Sequence, residues 1–133
     1  MAYLSCGEGE FPISRYCQMV ALRNQIYATA KQVNFLEGLH IEKCHNVDDL
    51  LYSLKKRIPA DCSKMNLKML IIDSIAGLVR TEFDTRDIKD ILERTRILFT
   101  ISTALKWLSD TFKISIVVVN QVGHEICHCI YIH

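Results

Sequence analysis

The stretch "MLIIDSIAGLVRTEFDTR", residues 69–86, contains the strongest fold signal in the chain. An apolar run leads into Asp73, a hydroxyl residue follows, and a short apolar patch then gives way to a polar segment. A short continuous apolar run predicts a strand buried on both faces of a sheet. A carboxylate at the end of such a strand is costly unless something binds it. Asp73 is therefore a candidate site residue, and the alternative that it caps the next helix stays open.

The rest of the composition describes one ordinary globular domain. The chain has 133 residues, of which 50% are hydrophobic and 23% charged, which excludes a disordered polypeptide. The formal net charge of +1 gives no bulk electrostatic reason to bind nucleic acid, so any DNA contact needs a local patch. The N-terminal residues do not have the pattern of a signal peptide, so we expect the six cysteines to be reduced. No apolar run approaches the roughly 20 residues of a membrane span.

Strand and helix signals alternate along the chain. Four apolar runs predict strands: residues 2–6, 39–44, 67–73 and 114–122. Three segments between them have helical spacing or helix end signals: residues 13–33, 46–58 and 87–110. The second of these helices is expected to end before Pro59. This alternation predicts an α/β fold with flanking helices around a largely parallel sheet of about four strands.

Polar side chains follow three of the predicted strands. Glu8 follows the first, Asp73 ends the third, and Asn120 with Gln121 end the fourth. Because the carboxyl ends of parallel strands meet at one edge of a sheet, we expect these groups to converge there. One carboxylate can hold Mg²⁺ through water, a second can activate an attacking water, and an amide can contact a phosphate. Together they predict a nucleotide–magnesium site, although each alone also fits a solvated acid, a helix cap or a loop amide.

Three blocks carry a family resemblance: "YLSCGEGEFPISR", "LKMLIIDSIAGLVRTEFDTR" and "ISIVVVNQV". In this order they resemble the RecA-type recombinase core, and most of all the eukaryotic recombinase paralogues of the X-ray-repair cross-complementing branch. We therefore expect residues 1–122 to form a partial RecA-like P-loop NTPase core and residues 123–133 an atypical C-terminal tail. The resemblance implies DNA repair by homologous recombination in the nucleus, with the cytoplasm as a second location. It also implies ATP and magnesium as cofactors, and a sister recombinase paralogue and single-stranded or branched DNA as partners, without a membrane.

The resemblance also implies roles for individual residues. Asp73 matches the Walker B aspartate that acts on magnesium through water, and Ser74 stands beside it. Glu8 matches the glutamate that activates the hydrolytic water, and Gln121 matches the glutamine that senses the terminal phosphate. Residues 80–89 match the first DNA-facing loop, whose cations are the candidate DNA-binding residues Arg80, Arg86 and Lys89. The acids in the same segment leave it without net positive charge, so a solvated loop is the alternative interpretation.

The chain departs from the family pattern in its phosphate loop. No G-x-x-x-x-G-K-[ST] motif occurs in it, and the family has that motif before the strand that begins here near Tyr3, so we expect the chain to start inside the fold. The loop's amides and lysine hold the phosphates. The family implies a DNA-dependent ATPase, but we predict that this polypeptide alone neither binds ATP tightly nor hydrolyses it. The alternative function is a nucleotide-independent interaction module that binds a sister recombinase.

The last segment, "GHEICHCIYIH", does not fit the family pattern. Zinc needs about four converging ligands, and the spacing of these histidines and cysteines does not supply two usual pairs, so a zinc module is a third hypothesis that rests on residue counts alone. Without the neighbouring phosphate-loop strand, the strand at residues 116–120 is expected to be a sheet edge with unpaired amides. Such an edge invites pairing with another chain.

Overall fold

The computed structural model describes residues 1–6, 10–26, 36–83, 86–122 and 126–132. Within these residues five strands form one sheet: β1 Ala2–Cys6, β2 His40–Cys44, β3 Met69–Asp73, β4 Ser115–Val122 and β5 Ile126–Ile132. Their order across the sheet is β2-β1-β3-β4-β5. The first four strands run parallel to one another, and β5 pairs antiparallel with β4. The predicted α/β fold with a largely parallel sheet and flanking helices is confirmed.

The helices connect the parallel strands, and their bounds are α1 Ile13–Ile26, α2 Val47–Tyr52, α3 Ile58–Met65, α4 Ile75–Glu82 and α5 Ile88–Phe112. Two helices begin at side-chain caps, at positions where the sequence predicts helices to start. The side chain of Asn46 accepts a hydrogen bond from the Asp49 N–H at 2.7 Å, and Asp87 accepts one from the Lys89 N–H at 2.8 Å. The predicted first helix is found from Ile13 to Ile26, and residues 27–35 lie outside the described residues.

The prediction that the second helix ends before Pro59 is wrong. Helical structure continues from α2 through a π-helical turn, Ser53–Arg57, and on through α3. Proline at residue 59 lacks an N–H, and its ring would clash with the carbonyl four residues earlier in a regular α-helix. The π-turn widens the backbone just before it, with the Ile58 N–H donating to the Ser53 carbonyl. Helix α3 ends only at Asn66, which adopts a left-handed conformation with φ 51°.

Helix α4 was not predicted, because the sequence of residues 75–82 looks like an apolar patch followed by a polar run. In the structure Leu78 and Val79 are buried, and Ile75 packs partly against the core. These three residues have the i, i+3, i+4 spacing of one helical face, but the helix is only two turns long. Helix α4 thus forms most of the connection between the end of β3 and the start of α5.

The sheet is covered unevenly by the helices. On the buried face, Leu4, Leu70, Ile72 and Ile116 pack with apolar residues of the helices, including Leu108 of α5. On the opposite face, four register partners form one row across the sheet: Ile41, Tyr3, Ile71 and Val117. This row is only partly covered, with Ile41 41% exposed. The structure therefore has one closed and one half-open sheet face.

The expectation that β4 forms a sheet edge is wrong. Strand β5, which lies within the segment predicted to be an atypical tail, pairs with β4 from Ile116↔Ile132 to Val122↔Ile126. The tail contains the β-branched residues Ile126, Ile130 and Ile132, which favour a strand. The pairing satisfies the amides that an exposed β4 would have left open. None of the helices in the described ranges combines the length and hydropathy needed to cross a membrane.

Candidate functional site

The parallel strands end together at one edge of the sheet, with Asp73 at the end of the central strand. In the register, Ser5 of β1 lies opposite Asp73 on one side, and Val119 of β4 lies opposite it on the other. Helix α4 begins immediately afterwards, with Ser74 as its N-cap residue. The predicted convergence of strand ends is thus present in the backbone, and Asp73 occupies its centre.

The carboxylate of Asp73 has a hydrogen-bond partner that the sequence did not reveal. The Tyr3 hydroxyl donates to Asp73 Oδ2 at 2.6 Å, across the β1–β3 pair. Burial raises the pKa of the Tyr3 phenol far above its usual range, and the hydrogen bond to Asp73 and its negative charge raise it further. The phenol therefore keeps its proton and acts as a donor. Part of the cost of placing a carboxylate at the end of this strand is offset in this way.

Tyr3 is itself held by an aromatic cluster. Its ring contacts Phe11 edge to face at a centroid distance of 4.6 Å, and Phe11 contacts Tyr16 of α1 in the same manner at 5.6 Å. These rings connect the half-open face of the sheet to α1. No motif in the sequence marks Tyr3, because its distance from Asp73 depends on the strand register. With the register known, Tyr3 lies opposite Ile71 and so projects from the same face as Asp73.

Ser74 is the second predicted nucleotide-site residue, and it lies buried at the start of α4. Its side chain is buried and makes no capping hydrogen bond, while its carbonyl accepts the Gly77 N–H at 3.2 Å. The peptide bond between Asp73 and Ser74 is cis. Since Ser74 occupies the N-cap position and the Asp73 side chain bonds to Tyr3, the alternative that Asp73 caps the next helix does not describe the structure.

Glu8 and Gln121 are the two remaining residues predicted for the nucleotide site. Glu8 lies outside the described residues, so its role as the water-activating group stays a prediction. Gln121 lies in β4, two residues beyond the partner of Asp73, and its backbone pairs with Cys127 of β5. The backbone thus places Gln121 at the carboxyl edge of the sheet. Its predicted role in sensing a phosphate is likewise still a prediction.

The segment predicted to face DNA begins within α4 and ends within α5. Arg80 lies in the last turn of α4, where its Nε donates to the Ala76 carbonyl at 3.2 Å, and Lys89 lies in the first turn of α5. Arg86 lies in the turn between the two helices, and residues 84–85 lie outside the described residues. All three cations are exposed. The expected loop is therefore shorter than residues 80–89, and DNA binding by its cations stays a prediction.

One acid of this segment has a structural role that the sequence did not indicate. Glu82 Oε1 accepts a hydrogen bond from the Val47 N–H at 2.7 Å. Val47 is the first residue of α2, and a carboxylate at a helix N-terminus is favoured by the free N–H groups and the helix dipole. Glu82 therefore ties the end of α4 to the start of α2.

The described side chains offer few ligands for the predicted magnesium and ATP. Among the described residues, no cluster of three or more His, Cys, Asp or Glu side chains could hold a metal. Magnesium usually keeps several waters and takes one or two carboxylates together with substrate phosphates. Asp73 is partly exposed and fits one such carboxylate. The sequence contains no phosphate loop, so no hydrolytic step follows from these residues.

The zinc hypothesis concerns histidines and cysteines of the last segment. By their backbones, Cys127, His128 and Cys129 lie in β5, and His124 and His133 lie outside the described residues. The hypothesis therefore still rests on residue counts alone.

The parallel sheet, its crossover helices and the aspartate that ends its central strand define a partial RecA-like core. A model of the Rad51 family matches residues 3–130, nearly the whole chain and part of the tail. The chain belongs to the Rad51 family. The resemblance that the three sequence blocks indicated is thereby confirmed.

Several curated proteins are similar to the chain. DNA repair protein XRCC3 of Mus musculus is 29% identical over 122 residues, which cover 88% of this chain and 34% of the relative. An XRCC3 homolog of Arabidopsis thaliana is 32% identical over 123 residues, covering 86% and 40%. DNA repair protein RAD51 homolog 2 of Mus musculus is 32% identical over 113 residues, covering 85% and 30%. The chain thus spans only about 30–40% of the length of these relatives.

Proposed function

We propose that this chain serves DNA repair by homologous recombination, as part of the RecA-like core of a recombinase paralogue that acts in the nucleus. The observation that carries the proposal is the Rad51 family match over residues 3–130 together with the aspartate at the end of the central strand. The similar curated proteins are named as DNA repair proteins. In this role the chain acts as a mediator that associates with DNA and with a sister recombinase paralogue.

The nucleotide part of the proposal assigns the edge of the sheet to Mg-ATP. Asp73 would hold the hydrated magnesium through one of its waters, and Ser74 and Gln121 would lie beside the phosphates. Glu8 would activate the attacking water. The phosphate loop is not in this sequence, so tight binding needs groups that this polypeptide does not provide. Isothermal titration of the chain alone should therefore show no micromolar affinity for Mg-ATP, and such an affinity would contradict this reasoning.

A second candidate function is a nucleotide-independent module that binds a sister recombinase. It is favoured by the half-open sheet face, because parallel sheets are normally covered on both faces. It is also favoured by α1, none of whose residues is buried. Met19, Leu22 and Ile26 of this helix are all more than half exposed. An apolar surface of this kind suits contact with another protein.

One experiment separates the two candidates. The chain is co-expressed with sister recombinase paralogues and purified with and without Mg-ATP, as wild type, as Asp73→Asn and as the matched control Asp110→Asn, whose exposed carboxylate lies at the end of α5. The nucleotide-linked role requires that complex formation responds to Mg-ATP and that only Asp73→Asn removes the response. The interaction module requires a complex that neither nucleotide nor Asp73→Asn changes. Failure to recover any recombinase paralogue would contradict both.

A further inference from the structure

Two cysteines lie side by side at the ends of β1 and β2. Cys6 and Cys44 are register partners in these neighbouring parallel strands. Both are buried, with 4% and 0% of their surfaces exposed. Both are free thiols, and their side chains form a hydrogen bond with each other. They are the last residues of their strands, so they lie at the same sheet edge as Asp73.

The surroundings of the two thiols shift their pKa values in opposite directions. The Cys6 Sγ lies 3.8 Å from the Leu4 carbonyl oxygen, and the Cys44 Sγ lies 4.0 Å from Ser53 Oγ. The hydrogen bond between the cysteines raises the pKa of Cys6 and lowers that of Cys44, and burial adds to the increase at Cys6. Cys44 is therefore the thiol that more readily becomes the attacking thiolate.

The spacing of the two positions meets the geometric requirement for a disulfide. Neighbouring strands in a sheet lie about 4.8 Å apart, and disulfides span Cα separations of about 4.4–6.8 Å. Register partners also project their side chains from the same face of the sheet. The folded chain can therefore accommodate the finished disulfide by rotation of the side chains, with both strands in their present positions.

We propose that Cys6 and Cys44 are an oxidation site, at which a low-molecular-weight disulfide of the glutathione type converts the pair into an intramolecular disulfide. The Cys44 thiolate attacks one sulfur of the oxidant and releases its first thiol, leaving a mixed disulfide on the protein. The Cys6 thiol then loses its proton, attacks the Cys44 sulfur and releases the second thiol. Two protein thiols are oxidised and one small disulfide is reduced to two thiols, so atoms and electrons balance. Excess reduced thiol reverses the reaction.

The bond would fasten β1 to β2 at the sheet edge that contains Asp73. It closes a loop of about 40 residues and restricts the unfolded chain accordingly. For a chain of this length we expect Tm to increase by about 10 °C on oxidation. Because both thiols are buried, exchange requires the strand ends to open. We therefore expect the exposed Cys17 to form a mixed disulfide faster than the buried pair forms its bond.

The test is oxidation of the full chain with glutathione disulfide, followed by blocking of free thiols, tryptic digestion and mass spectrometry without reduction. Trypsin releases Cys6 in the peptide 1–15 and Cys44 in the peptide 44–55, each with a single cysteine, so the linked product is unambiguous. We expect these two peptides to be the main linked pair and the link to disappear with dithiothreitol. A linked pair that is absent, or that forms equally in chain unfolded by urea, would overturn the proposal.

Two variants keep the stability readout interpretable. Cys17→Ser removes the exposed thiol and should keep both the link and the increase in Tm. Cys44→Ala should lose both, and a measurement of its reduced Tm separates the cost of the substitution from the effect of oxidation. An increase in Tm that persists in oxidised Cys44→Ala would show that another pair is responsible.

Discussion

Replacing Tyr3 with phenylalanine tests how the strand-end carboxylate is stabilised. The change removes only the hydroxyl that donates to Asp73 Oδ2 at 2.6 Å and leaves the ring against Phe11. Hydrogen bonds to charged groups contribute about 1.5–3 kcal/mol, and the partial burial of this one places it near or below the lower end of that range. We expect Tyr3→Phe to lower the free energy of unfolding by about 1–2 kcal/mol and Tm by about 5 °C.

The measurement is urea unfolding at pH 7, with Tyr52→Phe as the matched control because Tyr52 is 54% exposed. A double-mutant cycle with Asp73→Asn isolates the pair, and its coupling free energy should be about 1 kcal/mol. A Tyr3→Phe chain within 0.5 kcal/mol of wild type, or a cycle without coupling, would refute the assignment of Tyr3 as the partner that offsets the cost of Asp73.

The same bond predicts a dependence on pH. The pKa of Tyr3 is raised in the folded chain, so the folded state holds this proton more tightly than the unfolded state. The stabilisation from this hydrogen bond is fully present below the ordinary tyrosine pKa of about 10. It is lost as the pH rises through the pKa that Tyr3 has in the folded chain. Above about pH 10 the wild type should therefore lose stability more steeply than Tyr3→Phe, and parallel pH profiles would contradict this cause of the shift.

Three further changes test other elements. Glu82→Ala should cost about 1–2 kcal/mol in chemical unfolding, because it removes the carboxylate at the start of α2, whereas the exposed Glu93→Ala should stay within about 0.5 kcal/mol. Asn46→Ala should cost about 1 kcal/mol in the same assay, since it removes the cap on the Asp49 N–H; no loss would show that water replaces the cap. Arg86→Ala should weaken binding to single-stranded DNA uniformly across sequences and lower the salt slope by about 1, and an unchanged slope would remove this residue from the proposed DNA contact.

Much of the fold could be predicted because its signals are local. The β-branched run that became β4 and the caps Asn46 and Asp87 need no knowledge of distant residues. Pro59 was misleading, because a π-turn before it removes the clash that normally ends a helix. The pairing of β5 with β4 was not predicted, because the tail does not fit the family pattern and its position in the sheet depends on pairing between strands.

The site was harder to predict than the fold, because its contacts depend on register. Asp73 could be identified from a strand end, but Tyr3 becomes its neighbour only when β1 and β3 pair in parallel with Ser5 opposite Asp73. The thiols of Cys6 and Cys44 meet for the same reason. Sequence spacing contains no trace of such contacts, since the partners are separated by long stretches of chain. Pairing of strands, not motif content, therefore determines what surrounds each strand-end group.

The hydrogen bond from Tyr3 changes what the position of Asp73 implies. A carboxylate that ends a strand suggested a bound ion, but a neutral phenol already satisfies one of its oxygens. Because the raised pKa of Tyr3 keeps the proton on the phenol, the hydrogen bond does not neutralise the Asp73 carboxylate. Asp73 remains partly exposed at the edge where parallel strands end, so a hydrated cation can still approach it. The local fold thus stabilises the carboxylate and leaves its negative charge available, as the magnesium role proposed for Asp73 requires.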